Sequence, residues 1–190
     1  LTELTKEFLS FDYKQEQLIN NKYKMAWTFG VKRILSGDKA VDGGMGTVLT
    51  EHDEHLKGTV VLETTDETIN WVETEEKGKR IAIGQNDAET TLTFEVANPS
   101  LETQAYYMGG EVVTTAGKKS YAPPAVKEII EKSFTLETKV GYDIDVTNGK
   151  VVATPLGGTV GTEGVLTMKV VVTVQAPEKD GEDALVYREK

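Results

Sequence analysis

The chain is 190 residues long, 38% hydrophobic and formally charged −10, with no cysteine. That length supports a single domain with one core, and the lack of cysteine excludes disulfides, thiolate nucleophiles and zinc sites of the usual thiolate kind. The negative balance argues against a basic groove that grips phosphate backbones, because such affinity comes largely from Lys and Arg displacing counterions.

No run approaches the roughly 18 apolar residues of a membrane-spanning helix. The opening stretch Leu1 to Phe8 lacks the basic-then-apolar order of a secretory signal, so a soluble chain without membrane partners is expected. Leu4, Phe8, Leu9, Leu18 and Ile19 suit a helical turn or two, interrupted by Tyr13 and Lys14. Lys24 to Leu35 is rich in residues that suit a pleated surface, as is Lys57 to Glu63. Between them, Ser36 to His55 contains Gly37, Gly43, Gly44 and Gly46 and reads as a long loop, a natural arm for reaching a neighbour.

Thr90 to Val96 alternates, with Leu92, Phe94 and Val96 inward. A helix over about 99–108 follows: Asn98 as cap, Pro99 at the first helical position, Glu102 in the first turn and Gly109-Gly110 as the stop. Leu101, Ala105 and Met108 share its expected buried face. Ala116 to Val126, with Gly117, Pro123 and Pro124, reads as a second long loop. Ser133 to Lys139 alternates around Phe134 and Leu136. From Tyr142 to Thr154, Asn148-Gly149 lies between two alternating runs and predicts a type I′ hairpin turn. The clearest strand is Val165 to Val174, with Leu166, Met168, Val170, Val172 and Val174 on one face. Six or more strands and one helix result, with no repeat and no domain linker.

The candidate chemistry is thin. His52 and His55 are three apart in Glu51-His-Asp-Glu-His55, whereas the zinc-protease motif needs a spacing of four on a helix; a solvated turn is expected. Gly43-Gly44-Met45-Gly46 lacks the Lys-Ser or Lys-Thr and the helix of a phosphate loop, so a flexible loop is expected. Asp143, Asp145 and Asn148-Gly149 misplace the glycine of a calcium loop and lack its closing Glu. Acidic clusters such as Glu73 to Glu76 read as solvated tips, and Trp27 and Trp71 read as core. An exposed Trp27 or Trp71 would instead offer a flat platform to a sugar. No catalytic, cofactor-binding or metal-binding residue is assigned, and no enzyme is expected.

Thr91 to Val96, then Ala97-Asn-Pro-Ser-Leu-Glu102 opening a helix that leads to Tyr107-Met-Gly-Gly110, resembles the strand-helix-glycine unit of bacteriophage major tail tube proteins. Ala122-Pro-Pro-Ala125 ahead of Glu131-Lys-Ser-Phe134, a hairpin, a Gly-rich turn and the strand Leu166 to Val174 is similar to the closing order of that family. The resemblance spans roughly residues 45–176; residues 1–35 fall outside it and read as an N-terminal extension of a single domain.

The resemblance implies a mainly β fold with a minor helical part: two packed antiparallel sheets forming a sandwich or partly open barrel, flanked by the helix. It implies a structural virion subunit, made in the bacterial host cytoplasm, whose homohexameric rings stack into a tube for DNA ejection. The partners would be its own copies, tape measure and tail terminator proteins, and DNA passing an acidic lumen without specific binding. Subunit contacts are expected from the sheet edge and from the 36–56 loop, with Gly43, Gly44, Met45, Thr47, Leu49, His52 and His55 as interface candidates. The alternative is an Ig-like β-sandwich surface module, with carbohydrate as its ligand.

Overall fold

The computed structural model describes residues 28–73, 75, 80–126, 128–160 and 164–190. The fold is mainly β, with one short helix among the described residues. Its strands are β1 (Phe29–Asp38), β2 (Thr50–Glu51), β3 (Val61–Thr64), β4 (Thr68–Glu73), β5 (Arg80–Asn86) and β6 (Thr90–Ala97), then β7 (Val112–Thr115), β8 (Lys118–Tyr121), β9 (Ile130–Val140), β10 (Tyr142–Ala153), β11 (Thr167–Gln175) and β12 (Leu185–Glu189). The helix, α1, is Leu101–Met108.

Eight strands form one antiparallel sheet in the order β2-β1-β9-β10-β11-β6-β3, with β12 also on β10. Strand β10 is long enough to serve two neighbours on one edge: residues 148–153 pair with β11 and residues 142–146 with β12. The alternating strands bury their apolar faces as their patterns require. Leu92, Phe94 and Val96 of β6, Phe134 of β9, Val146 of β10, and Met168, Val170 and Val172 of β11 are all essentially inaccessible. Phe94 and Phe134 stand edge to face with ring centroids 6.4 Å apart, although two strands separate β6 from β9. That contact requires the sheet to curl until its concave face encloses the core.

Curling brings the sheet's two ends together without closing a barrel. The segment after β2 bridges them. Glu51 pairs with Leu35 of β1, and within five residues Glu54 O accepts from Ala97 N (2.9 Å) while Leu56 N donates to Glu95 O (2.7 Å) on β6. This strap spans the seam of a partly open barrel. Helix α1 supplies a further plug: the Tyr107 ring meets Phe94 edge to face at 6.1 Å, and its hydroxyl lies 3.1 Å from Ser36 Oγ on β1.

Several local expectations are corrected. The helix cap is Ser100, whose Oγ accepts from Thr103 N (3.2 Å); Asn98 instead takes a left-handed φ of 45°. The buried helix face is Thr103, Gln104, Tyr107 and Met108, because the polar members find partners at the cap and on β1. Asn148-Gly149 is no turn: β10 runs straight through it, with a bulge against β9 between Val146 and Gly149. Glycine is required at 149 because a Cβ there would collide with Val172 of the neighbouring strand. The β9–β10 reversal lies at Gly141, whose φ is 96°.

The expected 116–126 loop begins as the β7–β8 hairpin, turned at Ala116-Gly117 with both residues left-handed. Of the expected 1–35 extension, residues from Phe29 onward belong to β1, between β9 and the short edge strand β2, and Thr28 Oγ1 accepts from Tyr142 N (3.1 Å); residues 1–27, with Trp27, lie outside the described residues. Strand β1 also extends to Asp38, and β2 occupies 50–51, so the 36–56 segment is loop only over 39–49 and along the strap at 52–56.

Candidate functional site

The interface candidates divide among three places. Gly43 and Gly44 are buried against the chain's own segment 178–182: a Cβ at Gly43 would strike Glu178, and one at Gly44 the Glu182 carboxylate. Met45 N donates to Glu182 Oε1 (2.9 Å), and Lys179 pairs with Asp42 (3.0 Å). Hydrogen bonds from Lys179 and from the Gly44 amide hold the Asp42 carboxyl below its ordinary range. Gly46 N donates to the buried Ser133 Oγ (2.9 Å). These glycines therefore permit close packing within one copy, where a flexible loop was expected. Between β1 and β2 the exposed residues are Val41, Asp42, Thr47 and Val48, with Leu49 half-buried.

Thr47 and His52 share a cleft of about 440 Å³ with Ser36, Lys39, Thr50 and Tyr106. His52 stacks on Tyr106 with centroids 3.9 Å apart, its Nε2 lies 3.0 Å from Thr50 Oγ1, and Lys132 Nζ sits 4.4 Å from the Tyr106 centroid. Burial, reinforced by the positive charge of Lys132, depresses the His52 pKa. Burial likewise pushes the Tyr107 hydroxyl well above the ordinary tyrosine range. His52 is thus a packing residue of the seam rather than a solvated turn.

His55 pairs with Val96 and lines a different cleft, of about 590 Å³, with Val31, Lys57, Gly58, Val60 and Lys139. The two histidines are not brought together, and no group of three or more His, Asp or Glu able to hold a metal occurs among the described residues. The carboxylates considered for calcium are engaged elsewhere: Asp143 accepts from Thr138 N (2.8 Å) and pairs with Lys190, while Asp145 accepts from Thr135 Oγ1 (2.6 Å) and pairs with Arg188.

A hairpin that carries exposed apolar side chains was not anticipated. Strands β4 and β5 continue the β3–β6 pair outward: Thr64 faces Thr90, and Thr68 faces Asn86 in the same register. The base is clipped by Thr65 N to Glu89 O and Glu89 N to Thr65 Oγ1, both 2.9 Å. At about 3.3 Å per residue, the leg from Thr64 to Glu73 extends roughly 30 Å. Every residue of β4 is exposed. Ile69 and Trp71 share one face with Glu73, and Val72 lies on the other. Trp71, expected in the core, is 53% exposed. The advance signal was the acidic run Glu73 to Glu76, which reads as a solvated tip but does not by itself place a strand on either side.

No protein-family model matches the chain, and no curated protein matches it.

Proposed function

We propose that the chain is a structural subunit that self-assembles, and that it does no catalysis. One observation carries the reading: a two-stranded hairpin, clipped at its base to the end of the β3–β6 pair, presents Ile69, Trp71 and Val72 to solvent. A monomer gains nothing from holding large apolar side chains in water, whereas a second copy covering them gains their burial. The open seam and the short β2 and β3 edges add backbone groups for strand pairing between copies. Together with the resemblance to tail tube proteins, this supports hexameric rings stacked into a virion tube, with tape measure and terminator proteins as further partners. The formal charge of −10 suits a lumen that DNA passes without adhering.

Negative-stain electron microscopy with light scattering on concentrated protein tests the proposal. Rings or hollow tubes of sixfold symmetry are expected; a strictly monomeric particle at every concentration, also when mixed with preformed assemblies, would overturn it.

The exposure of Trp71 also favours one second reading, a surface module that stacks a sugar on the indole. Quenching of tryptophan fluorescence by a glycan panel, absent in Trp71→Ala, would select that reading.

A further inference from the structure

Asn148-Gly149 has the sequence of a turn but lies in the middle of the sheet, and it carries a chemistry that self-assembly does not use. The side-chain amide carbon of an asparagine is an electrophile within five-membered-ring reach of the next residue's peptide nitrogen. That ring closes most readily before glycine, where no Cβ crowds the approach. Of the chain's asparagines only Asn148 precedes a glycine; Asn70 is followed by Trp71, Asn86 by Asp87, and Asn98 by Pro99, which has no N–H to give up.

The closed sheet seals this pair. Asn148 is 3% exposed and lies opposite Gln175 on β11. Gly149 stands between Val174 of β11 and Lys132 of β9, and the side chains of Val172 and Phe134 crowd the point where its Cβ would be. With strands on both sides of β10 here, water and base reach the Gly149 nitrogen only when the centre of the sheet opens. The site also has no place for a product. Asn148 Oδ1 is buried with no hydrogen-bond partner among the described residues, so a carboxylate at that position would bring charge to a point that offers it no donor.

We propose that Asn148-Gly149 is a self-modification site, which the closed sheet holds unreacted and which locks the chain open once β10 has been exposed. The Gly149 nitrogen gives its proton to base and attacks Asn148 Cγ. The new N–C bond forms as the Cγ–Nδ2 bond breaks, and Nδ2 takes up a proton and leaves as ammonia. Water then opens the succinimide at either carbonyl, giving aspartate at 148 or its isomer, in which the main chain runs through the former side chain. One water is taken up, one ammonia is released, and nothing is oxidised. The isomer adds a methylene to the main chain, which takes the buried Val151 and Ala153 out of register with Val172 and Val170. The proposal is independent of whether copies assemble.

The test incubates the native chain at mildly alkaline pH beside the same chain in urea, and follows the peptide spanning the site by mass spectrometry. Conversion of Asn148 should be at least about a hundredfold slower in the native chain, as for any group reached only by opening a core strand. When the urea is removed, chains that still carry Asn148 should return to the folded, protease-resistant fraction and converted chains should stay outside it. A sample held in urea at mildly acidic pH, where the glycine nitrogen keeps its proton, should refold as freshly unfolded chain does. Equal conversion with and without urea would overturn the seal; converted chains that refold with an unchanged denaturation midpoint would overturn the lock.

Discussion

Glu137 on β9 takes three donors from β1: Arg33 Nη2 at 2.7 Å, Arg33 Nε at 2.8 Å and Lys32 Nζ at 3.0 Å. The hydrogen bonds from Arg33 are the main reason that its pKa falls from 4.5 to about 2. A depressed carboxylate stabilises the fold above its unfolded pKa and loses that contribution as pH falls through the folded one. Stability should therefore drop between pH 4.5 and about 2, and Glu137→Gln should remove that part of the drop in denaturant titrations. His52 acts on a different window. Its folded pKa lies below the ordinary 6.5, so stability present above that value is lost as pH falls through the folded pKa; His52→Phe, which keeps a ring against Tyr106, should flatten the profile there. In the core, Phe134 is fully buried against Phe94, and Phe134→Ala should cost about 3–5 kcal/mol by chemical denaturation.

Among the elements, the β4–β5 hairpin and the 36–56 segment make opposing predictions. Trp71→Ala should change monomer stability by no more than about 0.5 kcal/mol, as for exposed sites generally, while abolishing assembly seen by light scattering. Replacing the whole 36–56 segment with a Gly-Ser linker, by contrast, would remove β2, the strap and the clasp on 178–182, so loss of assembly would come with loss of the fold. Val48→Lys, at the exposed tip, is the cleaner probe of that segment as an interface: unchanged assembly in microscopy would remove it from the contact. Strands β6, β9 and β11 were legible because each buries one face, which writes alternation into the sequence. Strand β4 was not, since Thr68-Ile-Asn-Trp-Val-Glu73 has water on both faces and nothing in one copy enforces a pattern. Trp71 misled for the same reason: burial is an average tendency, and the hairpin runs past the end of the core. Asn148-Gly149 misled differently. The dipeptide suits a turn, but Val172 across the strand pair demands a residue without Cβ, and a bulge meets that demand. The cleft beside His55 was invisible because Val31, His55, Lys57 and Lys139 come from distant points of the chain and meet only after the sheet curls.

At the scale of the whole molecule, β1 is held in the sheet by β9, with Ile34 opposite Leu136, and the strap then carries the chain across the seam to β6. Neighbours so far apart in sequence make chain closure expensive, and domains dominated by such pairings fold in milliseconds to seconds. The β9–β10 and β10–β11 pairs have shorter connections and suit an early nucleus. Pulse-labelled hydrogen exchange during refolding should show amides of β10 and β11 protected before those of β1. Until β1 arrives, the edge of β9 is an unpaired template next to an already formed core. Another copy's β1 fits it as well as the chain's own. At high concentration during synthesis, the order in which this sheet is completed therefore decides whether strands are kept or exchanged, and a hinge at the strap would let an exchanged pair be as well hydrogen-bonded as a correct monomer.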